Sequence, residues 1–273
     1  MIADRAEPLR GRRALVVGGS TGIGRAIAQA WSDAGAQVVV CSRTEPRDAA
    51  WEWCQVDLAD PGQARERLNR LGSGRLDMVC FSAVHYGERR ARFCDTAEAE
   101  WRHQLEVNVT GLWLTLAATL PALRAAAPGL MVGVSSEVAF NAGPERSGYA
   151  ATKAAAKALL DSLAQEEDPA EVRIVQVLPA EMVDTPGIRR RRAPGFDYGS
   201  YMRPAAFARL AVALSTAPGP EYHGESLVVG EDGTWWPAHA RTPRSQSRPT
   251  PQPTPRSAPT PSRPTPPSRR GRS

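Results

Sequence analysis

The chain has 273 residues, 34 of them basic and 29 acidic, for a formal charge of +5. Eight arginines and no acid lie after Ala240, so residues 1–240 carry a formal charge of −3, which does not favour a polyanion-binding body. The four cysteines, Cys41, Cys54, Cys80 and Cys94, form no C-x-x-C pair and have no histidine nearby, which excludes a zinc knuckle and fits reduced, mostly buried thiols in a cytoplasmic protein.

The first residues lack the apolar stretch of a signal peptide. No apolar run is expected to approach the roughly 20 residues that span a bilayer. Residues 14–17 (ALVV), 37–41, 78–81, 130–134, 174–178 and 227–229 are short continuous apolar runs, and 51–56 is a further strand candidate. Between them, 23–34, 61–71, 98–126, 149–167 and 204–216 have helical spacing. Unalternated apolar strands suit a parallel sheet covered on both faces, and their regular exchange with helices predicts a doubly wound α/β domain of about seven strands over residues 1–240. Residues 241–273 differ in kind: ten of the 33 are proline, and none is aromatic or an aliphatic larger than alanine. That composition predicts a disordered, polyproline-like, passive tail.

The first strand runs into Gly18-Gly19-Ser20-Thr21-Gly22-Ile23-Gly24 and then a helix. Glycines permit a tight turn and close backbone approach to a pyrophosphate, which the free N–H groups and positive end of the helix would hold. The absence of G-K-[S/T] argues against a nucleoside triphosphatase. At the end of the second strand Ser42-Arg43 stands where an acid would hold a ribose hydroxyl, and Arg25 follows the last loop glycine. Two guanidiniums there suit the 2′-phosphate of NADP(H). The plain alternative is two solvated arginines.

Tyr149 and Lys153 are four apart at the start of a helical stretch, hence on one face about 6 Å apart along the axis. A nearby ammonium lowers the phenol from its usual pKa of ~10, so Lys153 is expected to ready Tyr149 for acid–base work. Ser136 ends a buried strand, and Asn108 lies inside a helical pattern where a buried amide needs a partner.

Together these residues resemble the classical short-chain dehydrogenase/reductase family over roughly residues 12–233. Its glycine loop is matched with Val17 in place of a threonine. Val56-Asp57-Leu58 resembles its adenine-side segment, and Asn108, Ser136, Tyr149 and Lys153 match its catalytic set in order and spacing. The resemblance implies a Rossmann-type fold, hydride transfer between NADP(H) and a carbonyl or alcohol, and an oligomer built on helices 98–126 and 149–167. Leu112, Leu116, Leu120, Leu159 and Leu163 supply apolar faces at helical spacing for it, though some must pack on the sheet instead. It implies that Tyr149 is the proton donor, Ser136 orients the carbonyl, Lys153 tunes Tyr149 and binds ribose, and Asn108 supports a relaying water. It also implies cofactor contacts from Gly18, Ser20, Thr21, Gly22, Ile23, Gly24, Arg25, Arg43, Asp57, Leu58, Ala83, Asn108, Tyr149, Lys153, Pro179 and Thr185, and no metal. Two segments depart from the family pattern: Phe81-Ser82-Ala83-Val84 replaces N-N-A-G, and Pro179-Ala180 replaces P-G. They leave open a catalytically weak NADP(H)-binding regulator on the same fold. On the substrate side stand His85, Tyr86, Glu137, Glu181 and the loop 186–201. The arginine run 189–192 in that loop is expected to be a solvated lid, with capture of an anionic substrate as the alternative.

Overall fold

The computed structural model describes residues 7–48 and 50–238, all within one compact unit. The tail expected over residues 241–273 lies outside the described residues. In chain order the elements are β1 (Arg13–Val17), α1 (Gly22–Asp33), β2 (Gln37–Ser42), β3 (Glu52–Gln55), α2 (Pro61–Gly72), β4 (Met78–Phe81) and α3 (Glu98–Leu105). A π-helical turn (Glu106–Thr110) then leads into α4 (Gly111–Ala126), β5 (Gly129–Val134), α5 (Val138–Asn141) and α6 (Ser147–Glu166). After these come β6 (Val172–Pro179), α7 (Pro186–Arg189), α8 (Ala208–Thr216), β7 (Ser226–Val229) and β8 (Trp235–Pro237).

The strands form one sheet in the order β3-β2-β1-β4-β5-β6-β7-β8, parallel throughout except for β8. The order reverses beside β1, which opens a crevice at the carboxyl ends of β1 and β4. Along β1 the side chains alternate between two cores: Ala14 and Val16 pack with α1 and α8, whereas Leu15 and Val17 pack with α2, α4 and α6. Each face is covered by helices, so no strand needs a polar side, and this is why the strands read as unbroken apolar runs.

Strand β8 was not anticipated. It is three residues long and follows a turn at Gly233, where φ is +76°, so no apolar run announces it. The stretch Glu98–Ala126, with a mean hydropathy of 1.3 in its most apolar window, is long and apolar enough to cross a bilayer, contrary to expectation. It is a core helix here, with Leu112, Leu114, Leu116 and Leu123 buried against α2 and the sheet. The same packing takes up part of the apolar set expected at an interface. Leu112 and Leu116 are spent inside the chain, and Leu120, Leu159 and Leu163 lean on that core. The thiols also divide: Cys41 and Cys80 are buried, Cys54 is half-buried and Cys94 is exposed. Cys54 stands in register beside Cys41 on the neighbouring strand.

Candidate active site

The crevice is a cleft of about 1050 Å³. Its floor is set by the β1–α1 turn. Gly18 has φ +85°, and a Cβ there would meet the Ala83 backbone nitrogen at 2.4 Å. A Cβ on Gly24 would strike the Gly18 carbonyl oxygen at 2.4 Å. Helix α1 begins at Gly22, and Thr21 does not cap it with its side chain. Its first-turn N–H groups and positive end are therefore available to an anion. Gly18, Ser20, Thr21, Gly22 and Ile23 line the cleft; Gly24 does not, and serves the turn by packing.

At the β2 end, Arg43, Asp57 and Leu58 line the cleft. Ser42 Oγ donates to Thr44 O at 2.7 Å and accepts from Trp53 Nε1 at 3.2 Å, which fixes the strand end beneath Arg43. Asp57 Oδ1 accepts from the Ala59 N–H at 3.0 Å, and the Asp57 N–H donates to Gln63 Oε1 at 3.2 Å. Arg25 is not brought to the cleft. Its guanidinium lies 5.4 Å from the centre of the Trp51 ring. Residue 25 lies past the turn on α1, and Trp51 provides a flat face for its planar cation.

Ala83, Pro179 and Thr185 line the middle of the cleft, as do Ser136, Tyr149 and Lys153. Burial pushes the Tyr149 phenol far up, although the residue as a whole is only half-buried. The neighbouring Tyr86 adds to the rise, while a Ser136 hydrogen bond, Arg191 and Arg146 oppose it. Lys153 donates to Val134 O at 2.8 Å, and burial pushes its ammonium down to about 8. The expectation that Lys153 lowers Tyr149 is therefore not met in this arrangement. The lysine is turned to the end of β5, and desolvation dominates the phenol.

Asn108 sits in the π turn, outside the cleft lining. Its Nδ2 donates to His85 O at 2.9 Å and Thr152 Oγ1 at 3.0 Å, and its Oδ1 accepts from the His85 N–H at 2.7 Å. Both amide hydrogens are used, so the side chain has no donor left for a water. What it does is join the loop after β4 to the helix carrying Tyr149 and Lys153. Sequence reasoning missed Thr152 and the π turn. The signal for Thr152 was a lone hydroxyl between Tyr149 and Lys153 on a helix of alanines. The π turn has no comparable cue, although such turns recur at functional sites.

On the substrate side the Tyr86 ring packs against that of Tyr149, with ring centres 5.1 Å apart and planes tilted by 53°. His85 Nε2 lies 2.7 Å from Glu100 Oε1, and its ring meets His103 at 4.1 Å. Burial pulls the His85 pKa down, and the Glu100 hydrogen bond acts against this. Glu137 pairs with Arg146 at 3.3 Å. Thr185 caps α7 by accepting from the Ile188 N–H at 3.3 Å. Among the described residues no group of three His, Cys, Asp or Glu side chains is placed to hold a metal ion.

Residues 12–194 match the model of the short chain dehydrogenase family. A rhamnolipid-biosynthesis 3-oxoacyl-[acyl-carrier-protein] reductase of Pseudomonas aeruginosa is 28% identical over 247 residues, covering 81% of this chain and 95% of the relative. An uncharacterized NAD-dependent oxidoreductase of Mycobacterium tuberculosis is 32% identical, over 68% of this chain and 77% of its own length. Among solved structures, a 3-oxoacyl (acyl-carrier-protein) reductase of Agrobacterium tumefaciens with NADP bound superposes with a TM-score of 0.73 at 25% identity, covering 86% of this chain and 98% of that one. With a Rossmann-type sheet, a glycine turn at its switch point and this breadth of matching, the chain belongs to the short-chain dehydrogenase family of oxidoreductases acting on alcohol and carbonyl groups.

Proposed function

We propose that the chain is an NADP(H)-dependent reductase that converts a ketone to an alcohol, with Tyr149 as proton donor. The observation that carries this is one cleft whose wall holds Ser136, Tyr149 and Lys153 and whose floor is the Gly18–Gly22 turn. The residues fit a dinucleotide: the turn excludes side chains, and α1 presents uncapped N–H groups. When bound, the nicotinamide supplies hydride. Tyr149 holds a proton on its hydroxyl throughout the neutral range, because burial raises its pKa. Ser136 donates a hydrogen bond to the carbonyl oxygen and orients it. Lys153, still mostly protonated at pH 7, would hold a ribose hydroxyl of the bound cofactor. Asn108 is a positioning residue that acts through His85 and Thr152.

Arg43, which lines the β2 end of the cleft, reads the 2′-phosphate. The NADP-bound relative supports that choice, and the NAD-dependent one is its counterweight. We take the enzyme to be a cytoplasmic homodimer or homotetramer; Trp113 on α4, 50% exposed, is the outward apolar residue that supports association. Light scattering at monomer mass would remove that part. The competing reading is a catalytically weak NADP(H)-binding regulator, and the turning of Lys153 toward Val134 O favours it. The test is a screen of ketones with NADPH, read at the absorbance of the reduced cofactor. Tyr149→Phe should lower turnover at least ~10²-fold while cofactor still binds. Near-normal turnover in that variant would sink the mechanism, and a wild type inert toward every ketone would favour the regulator.

A further inference from the structure

The four arginines of 189–192 have separate fates. Arg189 makes a two-pronged pair with Asp184, at 2.6 Å for each contact, and lies over Tyr198. Arg192 donates to Tyr201 Oη at 2.9 and 3.1 Å and lies over Phe196. Arg190 is exposed. Arg191 turns inward. It lines the cleft half-buried, with its guanidinium 5.4 Å from the centre of the Tyr86 ring, and Tyr86 in turn packs at a tilt against Tyr149. Its Nε is enclosed and has no hydrogen-bond partner among the described residues. No acid pairs with it there either: Glu100 is taken by His85, Glu137 by Arg146, and the cleft's Glu88, Glu145 and Glu181 are exposed.

Arg191 is a half-buried cation whose near neighbours are aromatic or basic. Burial pulls it down, Arg90 and Arg192 act the same way, and Tyr86 and Tyr149 oppose them. Desolvating a charge without a partner is costly, so a site built this way awaits an anion. Arg146 repeats the pattern. It lines the same cleft, its Nε is also enclosed and unpartnered, and its one ion pair is the 3.3 Å contact to Glu137. Both guanidiniums line the cleft that holds Tyr149, Arg191 by way of the Tyr86 ring and Arg146 three residues before Tyr149 in the chain. The terminal N–H groups of Arg191, which have no hydrogen-bond partner among the described residues, form a planar pair that matches a carboxylate, which can accept two parallel hydrogen bonds from it. Arg89, Arg90 and Arg190 stand at the same cleft and would draw anions toward it.

We infer that Arg191, with Arg146, forms an oxyanion subsite beside Tyr149, and that the substrate is an oxo acid whose carbonyl and carboxylate are a few bonds apart. The substrate class rests on the reductase reading above; the subsite itself does not. One intervening ring separates the guanidinium from Tyr149, so a short acid can place its carbonyl at the phenol while its carboxylate meets Arg191.

The test compares acetoacetate and levulinate with their methyl esters, using NADPH. Wild type should prefer each acid over its ester by at least tenfold in kcat/KM. Arg191→Met should lower that acid-to-ester ratio ten- to a hundredfold. Arg191→Lys, which keeps the charge and loses the fork, should lower it less and guards against a misfolded methionine variant. In parallel, calorimetry with succinate, which cannot be reduced, should show binding to wild type and loss of binding in Arg191→Met. If the ratio is near one in wild type, or unchanged in both variants, the subsite is overturned while the reductase stands. If no carbonyl compound turns over but succinate binding depends on Arg191, the subsite stands and the reductase reading falls. If succinate binds equally well to both variants and wild type, the subsite is wrong whatever the turnover.

Discussion

At the β1–α1 end of the cleft the backbone itself makes the surface, and Gly18 and Gly24 leave no room for a Cβ. At the 185–201 end side chains hold one another: Arg189 with Asp184, Arg192 with Tyr201, and Phe196 against Tyr198 and Tyr201. The first end suits a ligand part that never changes, because a pyrophosphate can be met by N–H groups that every residue carries. The second can be rebuilt one side chain at a time without disturbing the sheet. An enzyme with a fixed cofactor and a selectable substrate needs both kinds of wall.

The largest expected effect breaks the first wall. Gly18→Ala puts a Cβ 2.4 Å from the Ala83 nitrogen and asks alanine to adopt a φ of +85°. Strain and overpacking together should cost about 2–5 kcal/mol, seen as a lower urea midpoint. Asp184→Asn, which opens the Arg189 pair at the other end, should leave that midpoint unchanged. Equal losses in the two variants would mean that the substrate-side loop is as deeply built into the fold as the turn.

A smaller effect separates two arginines of the cofactor side. Each charge-assisted hydrogen bond is worth roughly 1.5–3 kcal/mol, so Arg43→Ala should weaken NADPH binding about ten- to a hundredfold and NADH much less. Arg25→Ala should scarcely change the NADPH-to-NADH ratio, because Arg25 lies over Trp51 and away from the cleft. Fluorescence titration of both cofactors measures this. Loss of both cofactors alike in Arg43→Ala, or a drop in selectivity in Arg25→Ala, would move the 2′-phosphate elsewhere.

What the sequence made legible follows the same division. The parallel sheet showed itself because strands buried on both faces are mostly apolar, β6 with its buried Arg173 and Gln176 being the exception, and Leu15 and Val16 are equally apolar though they face opposite cores. The glycine turn was legible because only glycine fits there. Tyr149, Lys153, Ser136 and Asn108 were legible as a spaced set. The place of Arg25 over Trp51 was not legible, because nearness along the chain to the last loop glycine does not fix which way a helical side chain leaves α1. The inward turn of Arg191 was invisible, since four successive arginines look alike until the partners of their neighbours are known. Lys153 was read as a partner of Tyr149 from helical spacing, and that spacing says nothing about the carbonyl at the end of β5 that competes for it.

The smallest expected effect lies where the two walls meet, at Lys153. Its ammonium is buried, and its pKa is pulled from an ordinary 10.5 to about 8. Between those values the unfolded chain binds more protons than the folded one, so wild-type stability should rise as pH climbs from about 8 toward 10.5. Below about pH 8 the full cost of burying the charge is present. Lys153→Met keeps the length and removes the charge. The variant should therefore be more stable than wild type at pH 7, by roughly 1–3 kcal/mol once the lost bond to Val134 O is set against the gain. That advantage should shrink as pH rises to 10, because wild type then folds with a neutral amine. Activity should be lost at every pH, the usual exchange of function for stability at a strained site. Melting curves of both proteins from pH 7 to 10 measure it. A methionine variant less stable than wild type at pH 7, or an advantage that does not change with pH, would show that the buried ammonium has a partner strong enough to cancel its desolvation.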